Sequence, residues 1–88
     1  MSARGDDSPE SRVTEVVGRL LAQRSISAPV SRTDDLRHAG LTSLDMISLV
    51  LSVEAEFDLT VPEESIHPAN FRTIEGISRL VESLLEDT

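Results

Sequence analysis

In the stretch "GLTSLDMISLV", residues 40–50, two hydroxyl side chains stand side by side at the head of an apolar-periodic run. Thr42 and Asp45 have the spacing of a capping box, in which the hydroxyl takes a backbone N–H of the opening turn and the acid complements the helix dipole. A helix start needs only one such cap. Ser43 is then left in the first turn with its hydroxyl unengaged, where backbone N–H groups favour an attached anion such as a phosphate ester. The competing chemistry for Ser43 is nucleophilic catalysis, which needs a base within hydrogen-bond reach. The only histidines are His38, in a loop, and His67, held before Pro68. There is no G-x-S-x-G elbow, because Gly40 stands three residues before Ser43. Both histidines read as solvated surface groups.

Composition removes other chemistries. All eight basic residues are Arg, so no lysine is available for a Schiff base, and there is no cysteine for a disulfide or a thiolate metal site. Asp34-Asp35 and Glu63-Glu64 lack the alternating spacing of a calcium loop, and no Gly-rich phosphate loop occurs. The expectation is a chain without catalytic residues or a metal site, and not itself an enzyme. The net charge of −8 is unevenly placed: residues 1–33 hold five Arg against four acids, and 34–88 hold three Arg against twelve. Such a surface repels nucleic acid and suits a basic protein partner, although acidity also simply keeps small domains soluble. No apolar run is long enough to span a membrane, and residues 1–11 lack the apolar centre of a secretory signal, so a cytoplasmic protein, monomeric on its own, is expected.

The elements that must position Ser43 follow from periodicity. The chain is expected to form one domain over 1–88, with 1–10 frayed. Ser8-Pro9 reads as a cap and first helical position, and Val13, Val16, Val17, Leu20 and Leu21 recur at helical spacing to about Gln23 or Arg24. Residues 25–41 show no sustained period and form a long loop, which Ile26, Val30 and Leu36 would pin to the core. Helix two is expected from Ser43 to Phe57. A short helix opened by Pro62 and ended by Pro68 follows, then a last helix capped by Thr73 with Ile74, Ile77, Leu80, Val81, Leu84 and Leu85 inward. No segment alternates like a strand. The fold class is all-α, a small four-helix bundle of three main helices and one short one.

Helix two carries two apolar stripes. Met46, Leu49, Val50, Val53 and Phe57 fall within an arc of about 100° and are assigned to the core. Leu44, Ile47 and Leu51 lie on a second arc, roughly 60° wide, which Ala55 extends and Glu54 and Asp58 border. Leaving those aliphatics wet forgoes about 1.5–3 kcal/mol of burial each. Either the long loop or the short helix covers them, or they form a partner-binding patch beside Ser43.

The run "GLTSLDMISLVLSVEAEFDLTVP" resembles the acyl carrier protein family in its G-x-x-S-L opening, the helix that follows, its E-x-E-F close and its V-P turn, with Thr73-Ile74 opening the last helix. The resemblance covers about residues 12–85. It implies that Ser43 receives 4′-phosphopantetheine from coenzyme A through a separate phosphopantetheinyl transferase, and that the arm's thiol carries cargo as a thioester. It also implies that helix two docks partner enzymes, which favours exposure of Leu44, Ile47, Leu51, Glu54 and Ala55.

Two departures bear on the cargo. Many fatty-acid carriers have aspartate just before the modified serine, where this chain has Thr42, and a more acidic helix two, where this chain has Ser48, Ser52 and Ala55. The "VPEESIHPANFRTI" stretch is more similar to free-standing carriers loaded with an amino acid by a ligase resembling an aminoacyl-tRNA synthetase. An aminoacyl carrier, loaded by such a ligase and discharged to a downstream acceptor enzyme, is ranked first. A carrier of fatty-acyl or polyketide intermediates, loaded by an acyl ligase, is second, and an unmodified acidic helical adaptor third.

Overall fold

The computed structural model describes residues 8–27 and 29–86. Three α-helices, α1 (Pro9–Gln23), α2 (Ser43–Phe57) and α3 (Ile74–Glu86), account for most of them, and two 3-10 turns, Glu63–Ser65 and Pro68–Phe71, lie between α2 and α3. There is no strand among the described residues. The three-helix-plus-short-element expectation holds. The short element is divided, however: the first turn closes at Ser65, before Pro68 is reached, and Pro68 instead opens the second, since its fixed φ and missing N–H suit a first helical position.

Helix boundaries follow local chemistry. Ser8 Oγ accepts the Ser11 N–H at 3.2 Å and Pro9 takes the first position, as the sequence predicts. The frayed segment therefore does not reach Pro9 and Glu10, which are helical, while residues 1–7 lie outside the described residues. At the other end, Ser25 turns left-handed (φ 60°), and Ser25 and Ile26 donate back to the Ala22 and Leu21 carbonyls at 3.0 and 2.9 Å. This pair of bonds satisfies the last carbonyls of α1 with serine where glycine is usual. Thr73 caps α3 by accepting the Gly76 N–H on Oγ1 at 2.9 Å.

α1 packs against both α2 and α3. The predicted α1 stripe is buried throughout, and Leu49, Val50, Val53, Phe57, Ile74, Ile77 and Val81 meet it in one core. Met46, placed in the core from its helical angle, is only half-buried and packs on the core's edge, and Leu85 lies at the surface. Polar contacts tie α1 to α2 at their far ends. Glu56 accepts from Arg12 Nε at 3.0 Å and Arg19 Nη2 at 3.3 Å, and the Arg12 guanidinium lies over the Phe57 ring, 4.5 Å from its centroid.

The long loop is held on the core rather than left loose. Leu36 and Leu41 are buried, and Ile26 and Val30 pack against the cluster. Its backbone is pinned to the entry of α3, with Leu36 N–H donating to the Arg72 carbonyl at 2.8 Å and Glu75 N–H to the Arg32 carbonyl at 2.9 Å. Arg32 adds ion pairs to Glu10 at 2.8 Å and Glu75 at 3.5 Å, joining both other helices to the loop. The loop thus delivers Thr42 and Ser43 from a fixed base.

Candidate functional site

The entry to α2 is built around one carboxylate. Asp45 is 1% exposed. Its Oδ2 accepts the Thr42 N–H at 2.8 Å and the Thr42 hydroxyl at 3.1 Å, while Thr42 Oγ1 accepts the Asp45 N–H at 3.3 Å. Oδ1 accepts Arg24 Nε at 2.6 Å, with Arg24 Nη2 on the same oxygen. The capping box predicted for Thr42 and Asp45 is present, but Asp45 does more than complement the dipole: it pins α2 to the residue that closes α1. The Thr42 N–H, against the cost of desolvation and with help from Arg24 and the Thr42 hydroxyl, holds the Asp45 carboxyl below its ordinary pKa. Arg24 is the residue that the sequence reading missed here, and its signal was weak, because an arginine after a helix has many other uses.

Gly40 sets the approach to this cap. Its φ of +119° is a conformation L side chains avoid, and a Cβ there would lie 2.9 Å from Ile26 Cδ1. The glycine therefore lets the loop cross Ile26 closely before turning into α2.

Ser43 differs from its neighbours on both sides. It is the first residue of α2 and exposed, and its hydroxyl has no hydrogen-bond partner among the described residues. It borders a groove of about 190 Å³ between α2 and the 3-10 turns, floored by Met46, Val50 and Phe71 and edged by Arg37, Ile66 and His67. No spacing rule in the sequence brings Ile66 or Arg37 to Ser43, since the contacts join three separate segments.

Beside the groove, the outward stripe is open. Leu44 is 71%, Ile47 57% and Leu51 61% exposed, so neither the long loop nor the short turns cover them. Ile66, 43% exposed on the turn between α2 and α3, adds to this apolar surface. Ala55 is exposed along the same face. Glu54 departs from the expectation of an acidic rim: it is half-buried, and its Oε2 accepts the Val61 N–H at 2.8 Å, fastening the chain that leaves α2. Asp58 is exposed and ends the helix in the left-handed region at φ 53°.

A free, exposed hydroxyl on a helix's first turn, next to an apolar groove and an apolar face, suits covalent attachment of an anionic group. Residues 11–81 match the family model described as the phosphopantetheine attachment site. Aminoacyl carrier protein 1 of Bradyrhizobium diazoefficiens is 41% identical over 75 residues, covering 85% of this chain and 83% of the relative. Aminoacyl carrier protein 2 of the same organism is 43% identical over 72 residues, covering 82% of this chain and 81% of the relative. The fold matches a chain in the crystal structure of Bradyrhizobium japonicum glycine:[carrier protein] ligase complexed with cognate carrier protein and an analogue of glycyl adenylate, with TM-score 0.77, 40% identity, and coverage of 85% of this chain and 96% of that one. It also matches a chain in the structure of that ligase complexed with glycylated carrier protein, with TM-score 0.75, 40% identity, and coverage of 82% and 96%. With the matched segment running from α1 through most of α3, the chain belongs to the phosphopantetheine attachment family of carrier proteins.

Proposed function

We propose that Ser43 is the attachment point for 4′-phosphopantetheine and that this chain carries an amino acid between a loading ligase and an acceptor enzyme. The observation that carries the attachment site is the division of labour at α2: Thr42 takes the cap, Asp45 is consumed by Thr42 and Arg24, and Ser43 Oγ alone stays free and exposed. The residues fit such a group, because the first-turn position favours an attached phosphate and the adjoining groove is open. When bound, 4′-phosphopantetheine supplies a terminal thiol on which an acyl group travels as a thioester, which suits a chain with no cysteine of its own.

The chain's own residues then contribute position rather than catalysis. Leu44, Ile47 and Leu51 give a partner enzyme an apolar footing beside Ser43, with Ala55 further along and Ile66 across the groove. Glu54 acts in this reading through the turn it fastens, at the margin of the footing. Docking there holds the root of the arm and raises the effective concentration of its far end in the partner's site. Three partners are implied: a phosphopantetheinyl transferase, a ligase that activates an amino acid with ATP, and an acceptor. Coenzyme A and ATP, the co-substrates of the first two, support the cytoplasmic location expected from the sequence.

The amino-acid cargo rests on the aminoacyl carrier relatives and on the glycylated carrier protein in a matching structure. The test has two stages. Incubation with coenzyme A and a broad-specificity transferase adds one arm to the wild-type chain by intact mass, and none to Ser43→Ala, which folds because neither the cap nor a core group is touched. An arm on Ser43→Ala would overturn the site. The modified protein is next offered to amino-acid ligases with ATP, and in parallel to malonyl and fatty-acyl transferases. A hydroxylamine-labile adduct of a small amino acid supports the cargo; efficient malonyl or long-chain loading without one puts the fatty-acyl or polyketide role first.

A further inference from the structure

Arg37 is set apart among the cations of the acidic part of the chain. Residues 34–88 contain only three arginines. Arg79 pairs with Glu75 at 3.2 Å and Arg72 with Asp35 at 3.7 Å. The Arg37 guanidinium has no hydrogen-bond or ion-pair partner among the described residues, and feels Asp35 only through space. It edges the same groove as Ser43. The acid nearest to Ser43 in sequence cannot compete for it, because both oxygens of Asp45 are occupied by Thr42 and Arg24.

We infer that this groove seats the root of the arm carried by Ser43, with Arg37 pairing the phosphodiester and the apolar floor taking the geminal methyls next to it. The inference rests on Ser43 being the attachment point. Charge complementarity supplies the first half: a phosphodiester is a permanent anion at neutral pH, and Arg37 is a cation without a competing partner at the mouth of the groove. The floor supplies the second. Met46, Val50 and Phe71 present aliphatic and aromatic carbon, and Ile66 adds to the same lining from the turn. Size sets the limit of the seat. Self-contained small-molecule sites hold roughly 300–1,000 Å³, whereas this groove holds about 190 Å³. It accommodates the phosphate end of the arm and leaves the thiol end and its cargo outside, accessible to a partner. A long acyl chain finds no enclosure here, while a small polar cargo needs none.

Arg37 is thus a positioning residue, and Ile66 has two uses, as lining of the seat and as part of the docking face. The test uses the full chain with and without the arm, each confirmed by intact mass. In the modified wild-type protein, nuclear Overhauser contacts are expected between the arm's geminal methyls and the side chains of Met46 and Ile66. The Arg37 Nε resonance is expected to shift relative to the unmodified form. Arg37→Gln should lower the intensity of those contacts about two- to fivefold, the worth of one exposed ion pair, and raised salt should do the same in the wild type. Arg37→Lys should recover part of the loss. An arm that is added but shows the resonances of free phosphopantetheine, with no contact to Met46 or Ile66, overturns the seat while leaving the attachment site intact. Contacts unchanged in Arg37→Gln overturn the role of Arg37. Failure of Ser43 to take the arm at all removes both this inference and the reading beneath it.

Discussion

The two faces of α2 are made from the same residue types and have opposite fates. Leu49, Val50, Val53 and Phe57 are buried in the common core, while Leu44, Ile47 and Leu51 remain largely in water. Helical geometry separates the stripes but does not decide which is covered. That follows from where the neighbours end: the long loop is drawn away towards α3 by the Leu36–Arg72 and Glu75–Arg32 bonds, and the turns stop at the groove. A small domain has total stability of only about 5 kcal/mol, so exposed aliphatics on one helix are a substantial concession. The difference supports the proposed reading, in which the outward face serves a partner rather than folding.

The sharpest way to break this contrast is to place the same charge on each face. Val53→Glu introduces an unpaired carboxylate at a fully buried position and is expected to unfold the domain, a loss of about 4 kcal/mol or more, by thermal melting of the helical circular dichroism signal. Leu51→Glu should stay within about 0.5 kcal/mol of wild type while weakening loading by the partner ligase about five- to thirtyfold, as for a central interface residue. Equal melting temperatures for the two variants would show that the division of the faces is wrong.

Between those extremes lies the cap. Asp45→Asn should cost less stability than Val53→Glu and more than Leu51→Glu, because it leaves Arg24 without its carboxylate and loosens the first turn beside Ser43. Its signature is in pH dependence. Asp45, Asp35 and Glu56 all have lowered pKa values in the folded chain, chiefly from the Thr42 N–H, the Arg37 N–H and Arg12 respectively. A carboxyl with a depressed folded pKa contributes stability above its unfolded value, about 4, and loses it as pH falls through the folded value. The wild-type chain should therefore become steadily less stable below about pH 4, and Asp45→Asn should flatten that slope. A variant with the wild-type slope would show that Asp45 is not one of the acids responsible.

Local rules made much of this legible. The Ser8-Pro9 start, the capping box at Thr42 and Asp45 and the Thr73 cap depend on residues within a turn of one another, so spacing alone specifies them. The α1 stripe was equally plain, since five aliphatics on one face leave a single inward direction. Other features were beyond reach for a common reason. Met46 has a core helical angle, but it lines the open groove between α2 and the turns, so burial stops short of it. Glu54 looks like a rim acid until the chain returns and offers it the Val61 N–H.

The sequence by itself therefore determined the helices, their caps and the surplus hydroxyl at Ser43, because each is a short-range consequence of residue type and spacing. Tertiary structure decided which apolar stripe stayed exposed, that Arg24 would occupy Asp45, and that Arg37 and Ile66 would both line one groove. Those outcomes join segments far apart in the chain, and only the packing of the whole core selects among the many placements that local preference allows.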